Sequence, residues 1–397
     1  MNLRKTIFAQ LIEFLPPRYE FNKCVARYAH RREARGSSFW DHFLCMAFAQ
    51  LTYRESLRDI EVCLRSQGKK LYHMGIRGSV SRSTLAHANA NRDWRIFADY
   101  AQVLISYARE LHKTDEPSLL EQVSSAVYAL DATIIQVCLS LFPWAPYNRA
   151  QGGIKMHTQL DLKSKIPTFI AITSGKTYEL SVLDTLQLEP GAFYVMDRGY
   201  LDYARLFRLD QAKSFFVIRA KRDIGYRRVY SRAADKDTGL RFDQTIRLTN
   251  DRAKKNYPSQ LRLIRLFDAK TKKHFLFLTN NFELPALTIA TMYRSRWDIE
   301  LFFRWVKQHL RIKSFFGVTE NAVHVQLWTA ICTYVLVIIA RKQLALTHLS
   351  LYTVLQILSI SIVDKKPILQ AFDDSSYFTQ DPESPKQLNL WDIHIGQ

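Results

Sequence analysis

The chain has 397 residues, 47% hydrophobic and 13% aromatic, a formal net charge of +19 and a pI of about 9.7. These values exclude global disorder and leave room for two or three domains with sizeable cores. The charge points to a polyanionic partner, nucleic acid before an anionic membrane, because the excess lies in segments of folded character and not in a tail. Residues 1–100 carry 17 Lys and Arg against 9 Asp and Glu, and residues 213–280 carry 18 against 6.

Residues 1–116 read as a helical domain. Helical apolar spacing runs over 5–15 and 40–52, interrupted by Pro16-Pro17 and the basic run 31–35. Ser56 and Asp59 fit a capping pattern that opens another helix. The Gly/Ser turn from Gly78 leads into a helix beginning Arg82-Ser83-Thr84, residue types that contact phosphates and bases. The spacing suits a helix-turn-helix recognition element, and equally a capped surface helix. Residues 114–117 read as a linker.

From residue 117 the period changes. Residues 126–131 form a short apolar strand ending in Asp131, followed by strands at 154–162 and 166–173. A helix at 178–186 precedes a second apolar strand ending in an acid, 192–197 with Asp197, and Arg198-Gly199-Tyr200 turns into a helix at 201–209. Residues 213–282 are mostly β, with strands at 215–219, 225–230, 242–248, 262–267 and 275–278, and read as a basic insertion. Helical pattern then runs from Pro285 through Lys307 with a break near Arg294, and apolar helices follow at 325–344 and 349–362. Residues 283–371 thus complete the second domain, and 372–397 form a polar tail.

The five cysteines, Cys24, Cys45, Cys63, Cys138 and Cys332, form no Cys-x-x-Cys pair and read as small core residues in a reducing cytosol. No signal-peptide pattern opens the chain. The longest apolar run, 327–340, is 14 residues and reads as a buried helix, so no membrane partner is expected.

The stretch from Tyr293 to Lys307 carries the chemistry. As one helix at ~100° per residue, Tyr293, Arg296, Glu300 and Lys307 fall within roughly 60° of one another. Ile299, Phe302, Phe303, Val306 and Leu310 occupy the neighbouring arc. Taken alone this is also an amphipathic helix whose polar face meets water. With Asp131 and Asp197 it becomes a third acid beside two cations and a phenol. Strand ends collect ligands in α/β folds. Three convergent carboxylates repel one another, and hard divalent cations, Mg2+ or Mn2+, relieve that repulsion. Two such ions about 4 Å apart suit phosphoryl transfer.

The spacing Tyr293-x2-Arg296-x3-Glu300-x6-Lys307 resembles the signature of the insertion-sequence-4 family of bacterial DDE transposases. Leu130-Asp131-Ala132-Thr133 resembles its first-acid block, and Val195-Met196-Asp197-Arg198-Gly199-Tyr200 its second. Phe48-Ala49-Gln50-Leu51, residues 56–60 and Ser83-Thr84-Leu85 look like the helical domain preceding the core in one branch. The resemblance covers nearly the whole chain. It implies an α/β fold: an RNase H-like mixed-sheet catalytic core, at 117–212 and 283–371, interrupted by a β-rich insertion and preceded by a helical DNA-binding domain. It implies Asp131, Asp197 and Glu300 as metal-binding catalytic acids with two Mg2+ or Mn2+ ions, and Tyr293, Arg296 and Lys307 as grips on transposon-end phosphates. The partners it implies are double-stranded DNA, as inverted-repeat ends and target, and a second copy in a synaptic dimer. The location it implies is the bacterial cytoplasm, at the nucleoid.

Further expectations attach to single residues. Trp297 is placed to stack on an unpaired base or to pack against the sheet. In the basic segment, Phe275, Phe277 or Tyr226 would serve to hold a flipped base. Lys155 and His157 share a face of the second strand, where the family commonly has Lys-x-His; they suit support of the first acid or a scissile-strand contact, and equally a solvated face. Two alternatives to transposition are an RNase H-like nuclease without strand transfer and a non-catalytic DNA-binding derivative.

Overall fold

A computed structural model describes residues 5–29, 37–77, 80–113, 120, 123–149, 151–221, 223–269, 271–309 and 315–372. The expected linker at 114–117, the turn residues Gly78 and Ser79, Leu310 and the polar tail beyond 372 lie outside the described residues. The chain divides into two compact units. One draws on Met1–Leu104, His309–Gly317 and Asn321–Gln397, the other on Ile105–Gln308 and Val318–Glu320.

Among the described residues seven helices precede the first strand: α1 (Ile7–Ile12), α2 (Arg18–Tyr28), α3 (Phe39–Leu51), α4 (Leu57–Ser66), α5 (Lys70–His73), α6 (Arg82–Asn91) and α7 (Arg95–His112). Their starts follow local chemistry. Pro17 sits at the N-cap of α2. Ser38 and Asp41 form a reciprocal capping box on α3. Ser56 accepts the Asp59 N–H at 3.1 Å on α4, and Ser81 accepts the Thr84 N–H at 3.1 Å on α6. The core of this unit is aromatic: Phe21 meets Tyr100 at 5.0 Å and Trp40 at 5.1 Å in edge-on contacts.

Nine strands follow among the described residues: β1 (Val127–Val137), β2 (Gly152–Asp161), β3 (Pro167–Ser174), β4 (Phe193–Met196), β5 (Phe215–Arg219), β6 (Tyr226–Arg232), β7 (Leu240–Leu248), β8 (Leu261–Asp268) and β9 (Lys273–Thr279). They form one mixed sheet in the order β3-β2-β1-β4-β5-β9-β8-β7-β6. The β1–β4 and β4–β5 pairs are parallel, the others antiparallel. The basic β-rich residues continue this sheet, because β9 pairs with β5 through Val217 and Thr279. Helices α8 (Glu179–Leu183) and α9 (Tyr203–Gln211) lie between strands, and Leu180, Leu183, Leu206 and Leu209 bury against Leu130, Met196 and Ile218. A short helix not anticipated from the sequence, α10 (Asp251–Asn256), is capped by Asn250.

After the sheet come α11 (Ala286–Ser295), α12 (Trp297–His309), α13 (Glu320–Gln343) and α14 (Leu351–Ser361). Helix α13 is long and apolar enough to cross a bilayer, but every residue from Ala322 to Ala340 is buried inside the protein. Asn321 at its start donates to the Asn89 and Arg92 carbonyls at 2.7 and 2.8 Å, joining it to the end of α6. Cys24, Cys45 and Cys332 are buried, Cys63 is half-buried and Cys138 is exposed; all five are free thiols.

Candidate active site

In the parallel β1–β4 pair, Val127–Leu130 lie beside Phe193–Met196, with Leu130 in register with Met196. Asp131 and Asp197 are the next residue on each strand. The sequence pattern ends the first strand at Asp131. The structure instead carries β1 on to Val137, because β2 pairs with it from Asp161 to Gly152. Asp131 therefore sits within a strand, at the end only of its parallel ladder. Asp197 does end β4. Its Oδ1 accepts the Gly199 N–H at 2.8 Å and caps the 3-10 turn Arg198–Tyr200. A Cβ at Gly199 would stand 3.0 Å from that oxygen, close enough that the Asp197 carboxylate would have to shift.

Strand β5 adds a residue that sequence reasoning missed. Ile218 is in register with Met196, so Arg219 follows in the same transverse row as Asp131 and Asp197. The Arg219 guanidinium lies 5.2 Å from the Phe275 ring centroid. Phe275 stacks on Phe277 at 6.1 Å, and Phe277 meets the Tyr293 ring at 4.9 Å. The signal was available: Arg219 ends an apolar strand parallel to the two that end in acids.

The helical stretch is two helices, not one. Helix α11 ends at Ser295 and α12 begins at Trp297. Arg296 lies between them, where two short-range bonds, Arg296 N–H to the Tyr293 carbonyl and Ile299 N–H to the Arg296 carbonyl, tighten the turn. Its side chain is 13% exposed and spans two acids: Nη1 donates to Asp131 Oδ2 at 2.9 Å and Nη2 to Glu300 Oε1 at 2.5 Å. The Tyr293 ring lies 5.8 Å from the same guanidinium. Ile299, Phe302, Phe303 and Val306 are buried, whereas Trp297 and Lys307 are half-buried.

The electrostatics tie these groups together. Burial pushes the Asp131 carboxyl up to about 6; Arg296 and the Ala132 N–H oppose the shift, and the Asp197 and Glu300 charges add to it. Burial raises the Tyr293 phenol, and burial with the Asp131, Glu179 and Asp197 charges raises Tyr200.

Residues 124–336 match the family model described as a transposase DDE domain, more than half of the chain. The chain belongs to the DDE transposase family. It is 33% identical over 270 residues to a putative transposase, y4zB, of Sinorhizobium fredii, covering 66% of this chain and 72% of the relative. A putative transposase for insertion sequence element IS4SA of Synechocystis is 26% identical over 321 residues, 79% of this chain and 83% of the relative. A probable transposase for insertion sequence element IS5377 of Geobacillus stearothermophilus is 32% identical over 209 residues, 52% of this chain and 54% of the relative. Residues 3–77 match a domain of unknown function, DUF4372.

A DDE transposase is a metal-dependent enzyme that cuts and joins DNA. The donor chemistry of the three acids suits a hard divalent cation. The arrangement is less simple. Among the described residues no three His, Cys, Asp or Glu side chains converge closely enough to hold an ion together, and Arg296 occupies the span between Asp131 and Glu300.

The other residues singled out from the sequence are placed as follows. Lys155 is buried, donates to the Thr177 carbonyl at 2.9 Å and pairs with Glu179 at 3.3 Å. His157 is buried with Nε2 3.0 Å from Thr173 Oγ1. Neither lies on a solvated face. Arg82 and Ser83 are exposed and Thr84 half-buried, with both hydroxyls gathered on the Ser81 cap. Phe275 and Phe277 are buried and Tyr226 half-buried. The most exposed aromatic among the described residues of the basic segment is Tyr230, 61% exposed on the sheet-edge strand β6.

Proposed function

We propose that this transposase carries its reaction on Asp131, Asp197 and Glu300, and that it belongs to the insertion-sequence-4 branch marked by Tyr293, Arg296, Glu300 and Lys307. The observation that supports this best is one guanidinium. Arg296 joins Asp131, 165 residues away in sequence, to Glu300 in the first turn of α12, and Asp131 leaves the strand beside the one that ends in Asp197. Partly buried carboxylates drawn from a sheet and a helix to one cation form a preorganised site for positive charge.

The three acids would hold the divalent cation, which supplies charge stabilisation at the scissile phosphate. Tyr293, Arg296, Lys307 and Arg219 line the approach with a phenol and three cations, suited to orient a phosphodiester. Exposed Arg227, Arg228 and Tyr230 on β6 extend a basic surface along the sheet edge. Helix α6, opening with exposed Arg82, serves as a separate contact with DNA. The substrate is the terminal inverted repeats of an insertion sequence. The element is cut out and joined to target DNA by two copies bound to two ends.

The test uses the purified protein, Mg2+ and duplexes carrying the DNA that flanks the gene, searched for short inverted repeats. Cleavage at the repeat boundary with joined target product supports the reading. Cleavage without joining supports a nuclease, and binding without cleavage a non-catalytic derivative; either result removes it.

A further inference from the structure

Arg296 has two jobs that cannot be done at once. Its guanidinium donates to Asp131 Oδ2 and Glu300 Oε1, the oxygens a divalent cation would take from the same two carboxylates. The pairs are largely withdrawn from water, with side chains 13%, 18% and 31% exposed for Arg296, Asp131 and Glu300. The arrangement is nevertheless incomplete. Arg296 Nε is buried without an acceptor among the described residues, an unmet donor of the kind that a fully settled ion pair avoids. The residue also sits at the junction between α11 and α12.

We propose that Arg296 is a positioning residue that holds Asp131 and Glu300 together before the metal arrives and competes with the metal for them. The site then has two states, one closed by the guanidinium and one open to the cation. The cation's apparent affinity is lowered by the fraction of molecules that are closed. The released fork, with its spare Nε–H, is free to take a phosphate oxygen. This rests on the reading that Asp131 and Glu300 hold the metal.

The test is binding of Mn2+ alone to the full chain, followed by calorimetry or the spin-resonance signal of free Mn2+. Arg296→Gln should bind Mn2+ about tenfold more tightly than wild type and Arg296→Lys about threefold, because lysine keeps the charge but cannot span two carboxylates. A lysine variant that matches wild type reduces the effect to simple charge and overturns the competition, as does a glutamine variant that binds no better. If Asp131→Asn and Glu300→Gln bind Mn2+ as wild type does, the metal assignment itself fails. If they lose Mn2+ while both Arg296 variants match wild type, only the competition fails. Should the Arg296 variants not fold, the wild type answers alone. Phenylglyoxal modification of Arg296, mapped by mass spectrometry, should speed up severalfold on saturation with Mn2+. An unchanged or slower rate overturns the proposal.

Discussion

Leu130 of β1 and Met196 of β4 are register partners in a parallel pair. Their shared row fixes what comes next: Asp131 and Asp197 leave that ladder side by side, with Arg219 one strand further on. Both leucine and methionine are buried, so a one-residue slip would turn apolar side chains outward and acids inward. The core therefore enforces the spacing of the two acids.

Replacing an acid by its amide keeps the shape and removes the charge. Asp131→Asn, Asp197→Asn and Glu300→Gln are each expected to lower single-turnover cleavage on the order of a thousandfold or more, while end binding stays within about twofold. Any one of them cutting at the wild-type rate takes that residue out of the reaction.

Arg219 is expected to act on substrate phosphate and, through Phe275 and Phe277, on the placement of Tyr293. Arg219→Ala should slow cleavage by about 10- to 100-fold without lowering the melting temperature by more than a few degrees. A normal rate would leave Arg219 a purely structural stacking partner.

Lys307 lies two turns along α12 from Glu300. If it neutralises one phosphate, Lys307→Ala weakens binding across DNA sequences and reduces the slope of log affinity against log salt by about one unit. Titrations between low and moderate salt read this directly, and an unchanged slope places the lysine off the backbone.

Much of this was legible in the sequence. The strand read at 215–219 is β5 to the residue, and the other four strands of the basic segment fall within two residues of their observed limits. Period-two alternation between turn residues carries that information locally. What failed was non-local. The length of β1 beyond Asp131 is set by β2, a partner that the strand's own residues do not announce. The helix break expected near Arg294 falls two residues on, at Arg296, where the side chain is drawn to Asp131 on a distant strand. Arg219 went unnoticed because its importance lies in register, which only the sheet supplies. Lys155 and His157 share a strand face, but both are buried there, Lys155 paired with Glu179 of α8 and His157 turned to Thr173 on the neighbouring strand β3.

Three buried histidines make stability depend on pH. Burial lowers His42 to about 3, and His157 and His324 to about 4, against an ordinary value near 6.5. The unfolded chain therefore takes up protons at these sites below about pH 6.5 while the folded chain does not, and stability falls as pH drops from there toward 4. Asp131 works the other way. Its folded value of about 6 exceeds the unfolded value of 3.8, so the folded chain is protonated first and gains stability as pH falls through that window. Three sites outweigh one. Near pH 5 unfolding should take up a net of about two protons, a slope of about 3 kcal/mol per pH unit. Denaturant midpoints from pH 7 to 5 test the sign, and midpoints that hold or rise on acidification contradict it. His157→Gln should remove about one of the protons.

Asp243 and Arg262 form the most buried ion pair described, with side chains 5% and 3% exposed. The fork is bidentate, Nε to Oδ1 at 2.8 Å and Nη2 to Oδ2 at 2.6 Å, and Nη1 donates to the Leu284 carbonyl at 2.6 Å. Arg262 thus ties β7 and β8 to the chain entering α11, the helix that carries Tyr293. Asp243→Ala leaves the Arg262 charge buried without a carboxylate and is expected to cost about 3–5 kcal/mol, whereas Arg262→Ala leaves Asp243 with Arg232 at 3.6 Å and should cost less. Replacing both with apolar residues of similar volume should cost far less, since no buried lone charge remains and Arg232, 28% exposed, keeps access to water. The pair's contribution is then geometric: the double variant should keep near-normal stability yet cleave more slowly, because the entry to α11 has lost its anchor at Leu284. A double variant with full stability and full cleavage would assign the pair no part in placing Tyr293.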